Sequence, residues 1–383
     1  MKTVHFGIIG CGLMGREFAS AAARWCVLLE MDVRPEIVAV CDTNESLLGW
    51  FKGNFASIEQ STTDYRELLA NNDVEAVYCA VPHNLHERMY CDIISAGKHL
   101  MGEKPFGIDL AANEAILACV KEHPEVFVRC SSEFPFAPAM QRLCDMIEAD
   151  EFGEIIEVNT GFLHSSDLDP EKPINWKRLA RFCGEYGVMG DLGMHVCHVP
   201  FRAGWRPLNV RAILSNLVPQ RPDGKGGMTQ CDTWDNATLF CETLNPATGK
   251  TFPWTLKTCR IAPGHKNTWY CEVIGMRKCA RYSSANTNSI EILDYSTGGE
   301  QAWRRIDMGH ETAFKTITGS IFEFGFSECV LQMWAGFLYE LAHGKPLKRF
   351  AGCVTPEETG LSHKLFTAGL RSKEDSATTQ VEG

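Results

Sequence analysis

The stretch Val4-His5-Phe6-Gly7-Ile8-Ile9 runs into Gly10-Cys11-Gly12-Leu13-Met14-Gly15 and then into a helix-like segment, and this order decides the fold. The apolar run reads as a buried strand and the glycines as the turn that joins it to a helix. Each glycine has its own task in a dinucleotide turn. Gly10 allows the tight bend, Gly12 lets a pyrophosphate approach the backbone, and Gly15 lets the helix pack closely on the strand, so that Leu13 and Met14 at the helix N-terminus face the phosphates. A G-x-G-x-x-G pattern alone is weak. Here a second apolar strand, Glu36-Ile37-Val38-Ala39-Val40-Cys41, ends in Asp42, where a carboxylate would accept hydrogen bonds from the adenosine ribose. The spacing exceeds the usual one of about twenty residues, which implies extra chain before that strand. An acid at this point repels a 2′-phosphate, and Asp42-Thr43-Asn44-Glu45 offers no cation to attract one, so NAD is expected over NADP.

The 383 residues, 45% of them hydrophobic, suffice for about two domains with ordinary cores. A formal charge of -11 without a basic stripe argues against nucleic acid or an anionic membrane surface as partner. There is no run of the roughly 18 apolar residues that a membrane span needs. Met1-Lys2-Thr3 leads straight into a strand, so no signal peptide is expected, and a cytoplasmic location is. The 17 cysteines contain no C-x-x-C pair, and most, such as Cys79, Cys119, Cys241 and Cys271, lie in apolar segments; buried free thiols in a reducing compartment are expected.

Strands over 74–81, 98–102 and 126–130 alternate with helices over 87–96 and 110–122, the pattern of an α/β, doubly wound parallel sheet of the Rossmann type over residues 1–130. Ligands gather at the carboxyl ends of such strands, where Pro82-His83-Asn84-Leu85-His86 and Glu103-Lys104-Pro105 lie. Near residue 131 the pattern changes to a second, α+β domain over 131–371. A helix over 138–149, a strand over 154–163 and a glycine-rich segment over 184–193 precede strands over 209–217, 235–243, 252–261, 269–274, 280–284 and 290–293. They predict a large, mostly antiparallel open sheet with one face free for homo-oligomer formation. Helices follow over 327–342 and from the capping box Thr355-Pro356-Glu357-Glu358, the last of them able to pack back on the first domain. Residues 372–383 read as a frayed tail, and Arg221 to Gly227 as a flexible loop.

A nicotinamide cofactor on the first domain implies hydride transfer, and alcohol oxidation also needs a base for the hydroxyl proton. Lys104 stands at a strand end. Asp191 and His195 lie four apart in Gly190-Asp191-Leu192-Gly193-Met194-His195, which on a helix puts both on one face. Together they could polarise a substrate oxygen and relay its proton. His195, Cys197 and His198 invite a metal reading, but no further ligands stand at metal spacing, and no metal is expected.

The glycine turn, Pro82 with His86, Glu103-Lys104-Pro105 and Asp191-x-Gly193-x-His195 occur in the order found in the glucose-fructose oxidoreductase / inositol dehydrogenase (Gfo/Idh/MocA) family, which this chain resembles over nearly its whole length. The resemblance implies that Lys104 contacts the reacting hydroxyl and the nicotinamide ribose, that His195 is the acid/base, and that Asp191 positions substrate or lysine. Trp176-Lys177 is similar to the family's Trp-Arg pair beside the cofactor, with lysine for arginine. The family's P-N-x-x-H reads Pro82-His83-x-x-His86, and its H-x-x-D ends here in His198, a departure that implies a less polar or larger substrate.

His164, Asp167, Trp176, Trp234 and Asp235 are expected to face the cleft, a set suited to a sugar ring. The implied activity is NAD(H)-dependent oxidation of a secondary hydroxyl of a sugar or glycoside. Within the family, the cysteine-rich, Trp-rich composition and the His198 departure resemble the glycoside 3-dehydrogenase branch, which oxidises the glucosyl C3 hydroxyl to a ketone. An inositol or other polyol dehydrogenase, or a non-catalytic NAD-binding regulator, would carry the same motifs.

Overall fold

The computed structural model describes residues 1–382. Six strands, β1 (Lys2–Ile9), β2 (Val33–Cys41), β3 (Gln60–Thr62), β4 (Ala76–Cys79), β5 (His99–Gly102) and β6 (Val128–Cys130), form an all-parallel sheet in the order β3-β2-β1-β4-β5-β6. Their apolar runs follow from burial on both faces: every residue of β4 is buried. Strand order reverses between β1 and β4, which opens a crevice at their carboxyl ends.

The second sheet has nine strands. Its first two in the chain are β7 (Ile155–Leu163) and β8 (Arg206–Ser215), after which a separate two-stranded ribbon, β9 (Gln220–Pro222) and β10 (Met228–Gln230), intervenes. The remaining strands are β11 (Asn236–Asn245), β12 (Lys250–Cys259), β13 (Thr268–Gly275), β14 (Lys278–Ser283), β15 (Ser289–Asp294), β16 (Arg304–Asp307) and β17 (Thr379–Gln380). The order is β16-β15-β14-β13-β7-β12-β11-β8-β17, antiparallel except for the β7–β12 pair.

The structure departs from the sequence pattern at the C-terminus and at Arg221. The last helix continues past residue 371 as Pro356–Asp375, and Thr379 and Gln380 then pair with Val210 and Asn209 of β8 instead of fraying. An otherwise open sheet edge offers unpaired backbone groups, and buried Ser372 ties the helix to it by accepting the Ala212 N–H at 3.0 Å. The expected loop at Arg221 is anchored as well. Arg221 is fully buried, and its guanidinium donates to the carbonyls of Asp167, Asp169 (2.7 Å) and Lys172 (3.3 Å), so its ribbon is tied to the 167–172 segment.

The helix Phe326–His343 returns to the first sheet. Trp334 stacks on Phe18 with ring centroids 3.7 Å apart and meets Phe6 and Tyr78 edge-on. Removing that buried indole would cost about 3–5 kcal/mol. The last helix, held by the Thr355 and Glu358 capping box, packs on β8 and on the helix Leu110–Glu122. All 17 cysteines are free thiols and 13 are buried. Among the described residues no helix is long and apolar enough to cross a membrane.

Candidate active site

The glycine turn takes the shape a dinucleotide requires. Gly10 has φ +97°, and a Cβ there would lie 2.2 Å from the Ala80 carbonyl oxygen; at Gly15 it would lie 2.3 Å from that of Gly10. Gly12 differs, because a Cβ built on it meets nothing within 4 Å. It is the N-cap of the helix Leu13–Ala23, whose first turn no side chain caps, so backbone N–H groups and a positive dipole end face an open cradle. Asp42 sits beside it with its carboxylate oriented by the N–H groups of Cys11 and Asn44, each at 2.8 Å. These residues fit a dinucleotide with a free ribose diol.

From this cradle a cavity of 430 Å³ extends into the second domain, lined by Gly12, Leu13, Met14, Pro82, His83, Glu103, Lys104, His164, Trp176, Lys177, Asp191 and His195, among others. Asp191 is its electrostatic centre. Lys104 Nζ and Lys177 Nζ reach Oδ1 at 2.9 and 3.0 Å, and the Arg260 guanidinium holds Oδ2. Burial would raise the Asp191 carboxyl, but those cations outweigh it and keep it well below the usual carboxylate range. Burial would likewise lower the Lys104 ammonium, yet Asp191 and Glu103 leave it above the ordinary lysine value. At Lys177 burial prevails, and with Arg260 and Lys104 nearby its pKa falls to about 8.

Asp191 does not lie on a regular α-helix as its spacing to His195 predicts. Residues Met189–Gly193 form a π-helical turn that runs into the helix Met194–Arg202, and both side chains still line the cavity. A Cβ at Gly193 would lie 2.6 Å from the Phe366 ring, so the last helix can pack against the turn only because residue 193 is glycine. Phe134 and Phe162 hold the His195 ring edge-on, with centroids 5.4 and 5.7 Å away. Burial, and then Lys104, keeps that imidazole well below its usual pKa, hence neutral.

Other expected site residues stand behind the cavity wall. His86 is fully buried, its Nε2 on the Val81 carbonyl (3.0 Å) and its Nδ1 accepting the Gly107 N–H, so it braces the loop. His83 reaches the wall, where its ring meets Trp176 edge-on at 4.9 Å. Asp167 is buried in ion pairs with Arg260 and Arg178, and Asp235 accepts the N–H groups of Leu217 and Val218. Trp234 packs against the core of the second domain, and His198 is buried near Arg202 and Glu358; neither lines the cavity. The His198 departure therefore does not reshape the pocket edge. Among the described residues no group of three or more His, Cys, Asp or Glu could hold a metal.

Three polar lining residues were not expected from the sequence, Glu133, Arg260 and Asn267, and neither was the aromatic wall of Phe134, Phe162 and Phe326. Arg260 follows β12 directly, and the pairing of Cys259 with Leu163 sets it beside His164. Glu133 follows β6 at a strand carboxyl end, a position that could have flagged it.

Residues 4–130 match the family model GFO_IDH_MocA, described as "Oxidoreductase family, NAD-binding Rossmann fold". Levoglucosan dehydrogenase of Pseudarthrobacter phenanthrenivorans is 27% identical over 228 residues, 59% of this chain and 58% of that relative. Glucose-6-phosphate 3-dehydrogenase of Bacillus subtilis is 24% identical over 291 residues, 75% of this chain and 77% of the relative. The chain thus spans little more than half the length of the first of these. The solved structure of levoglucosan dehydrogenase in complex with NADH and levoglucosan shares the fold with a TM-score of 0.88 at 21% identity, over 100% of both chains. Residues 4–130 thus match the NAD-binding Rossmann fold of the Gfo/Idh/MocA oxidoreductase family, and the whole chain is similar in fold to levoglucosan dehydrogenase.

Proposed function

We propose that the protein is an NAD(H)-dependent dehydrogenase that oxidises a secondary hydroxyl of a sugar or glycoside, with the C3 hydroxyl of a glucosyl unit as the first candidate. One observation carries this reading: the glycine cradle opens into the same cavity in which Lys104 is held by Asp191 and His195 is held neutral. NAD, when bound, supplies the acceptor for the hydrogen that leaves carbon with its electron pair. The charged Lys104 ammonium donates to the substrate oxygen and stabilises the negative charge that develops there. Neutral His195 accepts the hydroxyl proton, and Asp191 keeps Lys104 charged and in place. His164, Trp176, Phe134, Phe162 and Asn267 supply the polar and aromatic wall that suits a sugar ring.

Ile213 and Phe240 stand exposed on the outer face of the second sheet, which supports its use for association between copies of this chain. The activity is tested by following NADH absorbance over a panel of glucosides, free sugars and inositols, with Lys104→Ala as control. Oxidation of a glucoside, lost by at least about 100-fold in that variant with the fold intact, is expected. Turnover of inositols alone would move the protein to the polyol dehydrogenases, and no turnover of any of them would leave a binding protein.

A further inference from the structure

Three acidic side chains line the cavity, and two already have partners. Asp191 is occupied by its cations, and Glu103 accepts from the Tyr78 hydroxyl at 2.7 Å. The third, Glu133, is 6% exposed and directs Oε2 to 3.8 Å from Nδ1 of His195. The neighbouring Ser132 Oγ lies 3.3 Å from the same nitrogen. Phe134 and Phe162 pack edge-on with the imidazole and restrict its turning, and Trp269 Nε1 donates to the His195 backbone carbonyl at 3.0 Å, which fixes the backbone that carries it.

We infer that Glu133 is a positioning residue for His195: its negative charge, 3.8 Å from Nδ1, favours the proton on that nitrogen, where the Ser132 hydroxyl accepts it, and thereby reserves Nε2 as the acceptor of the substrate proton. This rests on the dehydrogenase reading above only for its kinetic consequence. A neutral imidazole has one N–H, and a buried acceptor beside Nδ1 selects the tautomer in which that nitrogen carries it. When Nε2 takes the hydroxyl proton, the imidazolium that forms lies beside a carboxylate, and the positive charge is offset where it appears.

The pair has a built-in dependence on pH. Burial, then the nearby Glu103, raises the Glu133 carboxyl to about 7. The groups facing it are His195, Glu103, Lys104, Glu17, Tyr78 and Cys329. Below that pH the carboxyl is neutral and offsets nothing, so turnover rises as pH climbs through 7. Asp191 and His195, both held well below neutrality, do not titrate in this range.

The test is ¹⁵N NMR of the histidine rings in the wild type, in E133Q and in E133D, with His195 assigned by its loss in H195N, together with pH profiles of kcat and KM. His195 is expected as the Nδ1–H tautomer in the wild type and mixed or reversed in E133Q. In E133Q kcat should fall roughly 100-fold with KM within about threefold and the acid limb near pH 7 gone, and E133D should restore part of both. An Nε2–H tautomer in the wild type, or an E133Q enzyme with unchanged kcat and acid limb, overturns the inference. An inactive wild type that still shows the Nδ1–H tautomer would sink the dehydrogenase reading and leave the pairing standing. Should E133Q fail to fold, the wild-type tautomer and E133D decide.

Discussion

Lys104 and Lys177 place their ammonium groups on the same oxygen of Asp191, at 2.9 and 3.0 Å, while Arg260 holds the other oxygen. One buried carboxylate thus gathers three cations, and their charges hold it ionised.

Asp191→Asn keeps the shape and removes the charge, leaving the cations facing one another. Breaking a buried pair in this way costs about 3–5 kcal/mol, so a clear fall in Tm at pH 7 is expected along with loss of turnover. The Asp191 carboxyl titrates well below its unfolded value, so its contribution is fully present above about pH 4 and lost as pH falls further. The Tm difference between variant and wild type should therefore narrow in acid. Equal stability at neutral pH would show that the cations do not depend on Asp191.

The two lysines should differ in reactivity. Lys177, at about 8, is partly neutral in mild base, whereas Lys104 stays protonated. Brief acylation at pH 8 followed by peptide mass spectrometry should label Lys177 before Lys104. Because the folded-state pKa of Lys177 lies below its unfolded value, this residue also makes stability rise between about pH 8 and 10, a rise that Lys177→Met should flatten. Prior labelling of Lys104 would contradict the charge assignment.

Two glycines of the opening turn should respond in opposite ways. Gly12→Val adds a side chain to open space and should leave Tm nearly unchanged while weakening NADH by at least about tenfold, read by fluorescence titration. Gly10→Ala forces a Cβ against the Ala80 carbonyl at φ +97° and should lower Tm itself. If Gly12→Val bound NADH as the wild type does, the dinucleotide would not lie across this turn.

Asp42, oriented by two backbone N–H groups, should hold NAD at least about tenfold tighter than NADP. Asp42→Ser removes the charge that repels a 2′-phosphate, and the two affinities, measured by calorimetry, should then come within roughly threefold. Equal affinities in the wild type would remove this role from the residue.

The motifs that were legible in the chain alone are those whose information is local. A strand, a glycine turn and a helix follow one another within the first residues, and the acid that ends β2, Glu103-Lys104-Pro105 and the Asp191 to His195 spacing are each contained in one short segment. Such segments carry their signal in backbone conformation and side-chain period, which neighbouring residues set. They sufficed for the parallel sheet, for the shape of the glycine turn and for the grouping of Lys104, Asp191 and His195, which line one cavity.

What only the tertiary structure decided is how groups distant in sequence share charge and burial. Arg260 reaches Asp191 across 69 residues because β12 pairs with β7 in one register, and Lys104 reaches it across 87 because the first sheet abuts the π-helical turn. The same packing turned His86, Asp167, Trp234 and Asp235 away from the cavity and brought Glu133 to His195. A side chain's role in such a site follows from the partners within a few ångströms, and those are chosen by sheet register and helix docking, which no local stretch of sequence contains.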